Sequence, residues 1–213
     1  KLGKDISIPL IGVYNKFDDI DFYKLPKDYI MKTNHGSHTN IIVRNGNLNK
    51  NLAKLKFDEW LSKDWSWWGY EMFYKPISRK IIIEKFMSDG NIALTDYKFL
   101  CFNGKPIYCQ AMTDRGTNHM ALNYYDMNWN PCKEISHCDL PANYNKINTK
   151  PKTFEQMKEY ATILSKDFKF VRVDFYEIES KVYFGELTFV PAASYIKYKN
   201  PNTDFEFGKL LVL

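Results

Sequence analysis

Four side chains in the segment VRVDFYEIESKVYFGELTFVP, namely Arg172, Asp174, Glu186 and Thr188, have the types and spacing of an acidic site built around a guanidinium. The segment reads as two strands joined by a short polar turn. Strand side chains alternate faces with a period of two, so Arg172, Asp174 and Tyr176 point one way and Val171, Val173 and Phe175 the other. On the return strand the same alternation groups Glu186 and Thr188 with Phe184 and Val182. If pairing sets Asp174 near Glu186, two carboxylates meet in an otherwise apolar layer, which is costly unless a cation is held there. A hard divalent ion such as Mg2+, bound through carboxylate and phosphate oxygens, meets that need. A buried salt bridge from Asp174 to Arg172 meets it as well.

These residues depend on the elements that carry them. Residues 29–32 lead into the polar segment Thr33-Asn34-His35-Gly36-Ser37-His38-Thr39-Asn40 and residues 41–43 lead out, the pattern of strand, glycine-containing loop and strand. Residues 48–61, with apolar side chains at 48, 52, 55 and 61, predict an amphipathic helix. The run Ile81-Ile82-Ile83-Glu84 is β-branched and continuous, as in a buried strand. After a turn at Asp89-Gly90-Asn91, residues 96–102 and 106–112 flank Asn103-Gly104 and predict a hairpin. Residues 113–152 read mostly as loop, with a strand over 121–126. Thr153 and Gln156 form a capping-box pattern opening a helix whose buried face is Phe154, Met157, Ala161, Leu164 and Phe168. This order predicts an α+β fold of two antiparallel-sheet lobes.

Composition narrows the function classes. The 213 residues are 45% hydrophobic and 16% aromatic, which excludes a disordered chain. No apolar run reaches the ~18 residues of a membrane-spanning helix, and the opening residues lack the pattern of a secretory signal, so a cytoplasmic protein is expected. Cys101, Cys109, Cys132 and Cys138 are scattered and expected to be free thiols. Cys132, His137 and Cys138 lack usual zinc spacing and a fourth ligand, and read as loop. The net charge of +5 is spread along the chain, which favours anionic ligands such as nucleotides or acidic sugars and not nucleic acid.

Five pieces in order, YIMKTNHGS, RKIIIEKF, DYKFLCFNGKP, SKDFKFVRVDFY and KVYFGELTFVP, resemble the TupA-like ATP-grasp family of bacterial cell-surface polysaccharide and teichuronopeptide biosynthesis. The resemblance runs from about Ile8 to the C-terminus. It implies an ATP-grasp fold, with a nucleotide cleft between two lobes, over residues 28–86 and 87–213. Residues 1–27 would be the remnant of an upstream segment and a linker. ATP and Mg2+ are the implied cofactors.

The resemblance also implies roles. Lys32 would sit on the nucleotide phosphates, as an inward strand lysine otherwise without a partner. The loop His35-Gly36-Ser37 would cover the phosphates, and Glu84 would meet adenine and ribose. Asp174 and Glu186 would hold magnesium, Arg172 would steady the transferred phosphate, and Lys98 would reach the cleft from the second lobe. Arg115 is a candidate for a substrate carboxylate or the γ-phosphate, and His119 for a base toward an attacking amine. Trp67, Trp68 and Tyr74 read either as a sugar-stacking platform or as packing between lobes.

Three departures stand out. Thr188 occupies a position where related ligases often place a metal-binding asparagine, so one metal is expected more readily than two. Ala192-Ala193-Ser194 replaces a glycine-rich stretch after the proline. A further phosphate-binding lysine would lie upstream of Lys1, so the chain is expected to be part of a longer one. The expectation is an ATP- and Mg2+-dependent ligase that joins a small carboxylate, on an amino acid or a uronic acid sugar, to an amine through an acylphosphate, in capsule or other surface polysaccharide synthesis. Two other readings stay open: a glycosyltransferase, since paired acids also serve glycosyl chemistry, and a non-catalytic nucleotide-binding module of a larger protein.

Overall fold

The computed structural model describes residues 2–3, 5–67, 70–90, 93–145 and 149–212. The chain divides into two compact units, Ile8–Met87 and Lys1–Ser7 with Ser88–Leu213. Both are built on antiparallel sheets with helices, an α+β fold as the sequence predicts.

In the smaller unit, strands β1 (Leu10–Tyr14), β2 (Tyr29–Thr33) and β3 (Asn40–Val43) precede helix α1 (Lys50–Ser62) and strand β4 (Ile81–Lys85). The sheet order is β1-β4-β2-β3. Within residues 1–27, read from the sequence as the remnant of an upstream segment and a linker, Leu10–Tyr14 form β1, which pairs with β4. Tyr29, Met31, Ile81 and Ile83 alternate onto one face and bury against Ala53 and Phe57 of α1. The buried stripe of α1 runs through 53, 57, 60 and 61, the spacing of one helical face. Leu52 and Leu55, expected on that face, are exposed at 50% and 68%. The rings of Phe57 and Trp60 decide the orientation because they bury more apolar area than the two leucines do. Asn49 caps the helix by accepting from Leu52 N at 3.0 Å.

In the larger unit, β5 (Asp96–Phe102), β6 (Lys105–Thr113) and β7 (Ala121–Asp126) are followed by α2 (Phe154–Ser165), β8 (Phe170–Ile178), β9 (Lys181–Thr188) and α3 (Thr203–Lys209). The sheet order is β7-β6-β5-β8-β9. Phe154, Met157 and Ala161 of α2 pack on Phe99, Val173 and Phe175. The capping box is not formed. Thr153 instead donates through its N and Oγ1 to Glu177 Oε2, at 2.7 and 2.6 Å, and Gln156 donates to Tyr160. An ionised acceptor makes the stronger bond, so Thr153 ties α2 to β8.

The β8–β9 hairpin carries a bulge that the alternation alone does not reveal. Asp174 pairs with Glu186 but Phe175 pairs with Phe184, leaving Gly185 as the extra residue. Phe184 and Val182 therefore turn into the core with Phe175, on the face opposite Glu186 and Thr188, contrary to the alternation read from sequence. A β-carbon on Gly185 would lie 3.1 Å from Tyr176 Cε2 and 3.2 Å from the Asp174 carbonyl oxygen. Gly185→Ala is accordingly expected to destabilise the protein by ~1–3 kcal/mol, as overpacking does, and a shifted urea midpoint would show it.

Candidate active site

The bulge leaves one polar rung in register across all the strands of the larger sheet. Glu186 stands beside Asp174, Asp174 beside Lys98, Lys98 beside Gln110, and Gln110 beside Tyr124. The apolar core under α2 lies on the opposite face. The rung is therefore a consequence of strand alternation: Tyr97 and Phe99 face α2, and Asp96 and Lys98 face the other way.

At one end of the rung Arg172 organises three acceptors. Its Nε donates to Asp174 Oδ1 at 2.7 Å and its Nη2 to Asp174 Oδ2 at 2.8 Å, a bidentate pair. The same Nη2 reaches Glu186 Oε1 and Thr188 Oγ1, both at 2.9 Å. Thr188 in turn donates to Glu186 Oε1 at 3.0 Å. The two carboxylates thus converge on a single nitrogen. Asp174 is almost wholly buried, whereas the Glu186 side chain is 60% exposed.

Lys98 lies on the inner side of Asp174. Its Nζ is 2.6 Å from Asp174 Oδ2 and 3.3 Å from Asp96 Oδ1, and only 7% of its side chain is exposed. Lys98, expected from the sequence to reach the cleft, is thus a buried counter-ion of Asp174 and Asp96. Arg115, largely exposed, lies 3.9 Å from Asp96 Oδ1. Tyr176 completes this inner cluster: burial first, then the charges of Asp96 and Asp174, push its hydroxyl far above its ordinary pKa, so it stays protonated. Sequence reading missed Asp96. The signal available was the i, i+2 alternation that sets Asp96 and Lys98 on one face.

The other end of the rung is a buried hydrogen-bonded chain. Gln110 Nε2 donates to the Tyr124 hydroxyl at 2.6 Å, which lies 2.6 Å from His137 Nε2. A neutral imidazole with its proton on Nδ1 would accept the Tyr124 hydroxyl at Nε2, and one protonated on Nε2 would donate to it, so the tautomer sets the direction of this bond. Burial pushes the His137 pKa below the usual 6.5, against a small opposing effect of Asp139. His35 in the smaller unit is shifted the same way, by burial and then by the charge of Arg79. For both, the unfolded chain binds protons before the native state does. Their stabilising contribution is complete above pH ~6.5 and is lost as the pH falls toward the folded values. Urea titrations at a series of pH values are expected to show stability declining below pH ~6.5, by up to about 1.4 kcal/mol per pH unit for each histidine.

In the smaller unit Lys32 does have a partner. Its Nζ is 2.6 Å from Glu84 Oε2, both side chains projecting from the sheet face away from α1. The loop after β2 is closed by Thr33 and Thr39, whose hydroxyls are 2.6 Å apart. His35 is buried, 2% exposed, and faces the carbonyls of Trp60 and Lys63 at the end of α1. Ser37 is exposed. Gly36 is required by packing, because a β-carbon there would lie 2.7 Å from Trp65 Cε2. Trp67 is exposed on a short 3-10 turn and Tyr74 lies on another; Trp68 and Asn91 fall outside the described residues.

Two further features lie in the larger unit. His119, exposed, lines a cavity of about 530 Å³ together with Asn118, Asn143 and Asn145. Ala192, Ala193 and Ser194, which follow Pro191, hold positive φ angles of 48°, 50° and 64°. These are conformations that glycine adopts freely and that strain other residues, so the segment after β9 keeps a glycine-like backbone without glycine.

A hard divalent cation can be tested against these residues. Among the described residues no group of three His, Cys, Asp or Glu side chains is gathered as a metal cage. Asp174 Oδ2 already accepts from Lys98 and Arg172, and Glu186 Oε1 from Arg172 and Thr188. Asp174 and Glu186 keep carboxylate lone pairs outside these bonds, so these two residues would hold a hard divalent ion, which would supply charge neutralisation for phosphate.

Two antiparallel-sheet units, one carrying a lysine–glutamate pair and the other an arginine-centred acidic cluster, define an α+β protein. The chain belongs to the TupA-like ATP-grasp family, whose model matches residues 1–212. No curated protein matches it by sequence. Among solved structures it is similar to a D-alanine–D-alanine ligase from Bacillus anthracis complexed with ATP, at 17% identity over 85% of this chain and 47% of that one, with a TM-score of 0.45. A D-alanine–D-alanine ligase from Helicobacter pylori shares 14% identity over 94% of this chain and 51% of that one, TM-score 0.47. A RiPP-associated ATP-grasp ligase from Chryseobacterium gregarium shares 10% over 87% and 47%, TM-score 0.36. The chain spans about half the length of these structures.

Proposed function

We propose that this chain forms the nucleotide- and metal-binding part of a ligase that uses ATP and Mg2+ to join a carboxylate to an amine. The observation that carries the reading is the bonding of Arg172. Nε and Nη2 are committed to Asp174, Glu186 and Thr188, while the N–H groups of Nη1 make none of these bonds. A guanidinium fixed in its plane by one carboxylate, with a free edge beside a second, is suited to hold a transferring phosphoryl group.

In this reading Asp174 and Glu186 hold Mg2+, which when bound neutralises charge on the nucleotide phosphates. Lys32 and the exposed loop at Ser37 serve the phosphates, and Glu84 both orients Lys32 and faces the nucleoside. A substrate carboxylate oxygen attacks the γ-phosphorus and ADP leaves. The amine then attacks the acyl carbon of the acylphosphate, inorganic phosphate leaves with that oxygen, and the amine proton passes to a base. His119, at the amide-lined cavity, is proposed for the base and Arg115 for the substrate carboxylate. Family resemblance supports a setting in surface polysaccharide synthesis in the cytoplasm, with an amino acid or uronic acid as the carboxylate.

The test supplies the full-length protein with ATP, Mg2+ and pools of amino acids, amines and uronic acids, and follows ADP and phosphate. ADP release that requires both a carboxylate and an amine is the expected result. Consumption of a sugar nucleotide without ADP release would instead establish glycosyl transfer.

A further inference from the structure

We infer that the cavity lined by His119 is a binding site for a neutral, hydroxyl-rich ligand, a short oligosaccharide, and that it takes this ligand without nucleotide or metal. The inference rests on the reading above in one respect: with His119 serving the amine, the sugar is the body of the amine substrate.

The lining chemistry selects the class. Asn118, Asn143 and Asn145 border the cavity of about 530 Å³ together with the apolar surface of Met120 and Pro141. Among the described residues no Asp, Glu, Lys or Arg lines it, although 26% of the chain is charged. A carboxylate, a phosphate or an ammonium would therefore meet no opposite charge there. A side-chain amide offers both a donor and an acceptor, as a hydroxyl does. All three asparagines are exposed, so their amides are open to a ligand, and the apolar residues suit the C–H face of a sugar ring.

The wall is built before any ligand arrives. Leu122 N donates to the Pro141 carbonyl at 2.9 Å, which ties residues 141–145 to β7. The fully buried amide of Asn123 brackets the next turn of chain, accepting from Asn143 N at 2.8 Å and donating to its carbonyl at 2.9 Å. The Tyr144 hydroxyl donates to the Cys132 carbonyl at 3.1 Å. A preformed wall reduces the ordering that binding costs. The same bonds argue against a peptide ligand. β7 is an edge strand, but Leu122 N is taken by Pro141, the Tyr124 carbonyl by Cys132 N and Asp126 N by the Asn130 carbonyl. These positions are closed to an added peptide strand.

The ligand is longer than one ring. Asn145 also lines a second cavity of about 190 Å³ with Tyr125, Trp129, Lys133 and Tyr144, so the two adjoin. Tyr125 and Trp129 are stacked there, with ring centroids 4.1 Å apart. Trp129 Nε1 is a buried donor with no hydrogen-bond partner among the described residues. An indole N–H lacks only an acceptor, which a hydroxyl oxygen supplies and an ammonium does not. Three strand spacings, about 14 Å, separate β7 from β8, which carries Arg172. A substrate lodged at β7 that also reaches the Arg172 cluster therefore extends beyond a single sugar.

Isothermal titration calorimetry tests this on the full-length protein without ATP or Mg2+. The probes are the neutral trisaccharides maltotriose, cellotriose and chitotriose, with trigalacturonate and trialanine as charged and peptide comparators. At least one neutral trisaccharide is expected to bind about tenfold more tightly than either comparator. The double variant Asn118→Ala/Asn145→Ala is expected to weaken that binding by about tenfold, with circular dichroism confirming its fold. No binding of any neutral trisaccharide at millimolar concentration, tighter binding of trigalacturonate or trialanine, or unchanged binding in the folded double variant would each overturn the inference. The preference of wild type decides the matter even if that variant does not fold. The ADP-release assay separates this outcome from the ligase reading. ADP release without trisaccharide binding removes the sugar site and leaves the ligase, whereas trisaccharide binding without ADP release removes the ligase and leaves the sugar site.

Discussion

Asp174→Ala is expected to destabilise the protein by about 3–5 kcal/mol, the cost of removing one partner from a buried ion pair. Asp174 answers two cations at once, Arg172 through Nε and Nη2 and Lys98 through Nζ, and both cations lie at 14% exposure or less. Without the carboxylate, Asp96 remains for Lys98, but at 3.3 Å from a single oxygen. Glu186 remains for Arg172 through one contact. Against a typical total stability of ~5–15 kcal/mol, such a loss is a large fraction, so a strongly lowered urea midpoint is expected. A change below about 1 kcal/mol would show that the cluster is not the electrostatic centre of the larger unit.

Glu186→Gln is expected to do the reverse, sparing the fold and stopping the chemistry. The side chain is mostly exposed, and the amide oxygen can still accept from Arg172 Nη2 and Thr188. An exposed ion pair of this kind contributes ~0–1 kcal/mol, so the unfolding midpoint should barely move. Turnover should fall by about 10²–10³-fold, the scale on which removing one group that stabilises developing charge is felt. Retained turnover would remove Glu186 from the metal site, and the mechanism with it. The contrast between the two variants separates the structural carboxylate from the chemical one.

The face that carries Arg172, Asp174, Glu186 and Thr188 was legible in the sequence because strand alternation holds from Arg172 to Asp174 and from Glu186 to Thr188. It failed one residue further on. Gly185 inserts a bulge between the two pairs, so Phe184 and Val182 turn into the core. A glycine inside a strand pattern is the available sign of a bulge, though it does not fix the register. The partners of Lys98 were only half legible. Every residue of β5 is buried, and the lysine is held by Asp96, two residues away, and by Asp174, 76 residues away. The partner of Lys32 was hidden in the same way, because it depends on how β2 and β4 are paired. His35 sits in a polar stretch that reads as exposed loop, and only the packing of α1 turns it inward. Long-range contacts decided each of these cases, while local pattern sufficed for the elements themselves.

The central claim is that a carboxylate is activated by phosphoryl transfer at the Arg172 cluster, and isotope tracing tests it most directly. A substrate carboxylate labelled with 18O, identified through the ADP-release assay, would be turned over with ATP and amine and the inorganic phosphate examined by mass spectrometry. Passage through an acylphosphate predicts one 18O in each phosphate released, a signal lost in Glu186→Gln. Amide product formed while the phosphate carries no label would contradict the account.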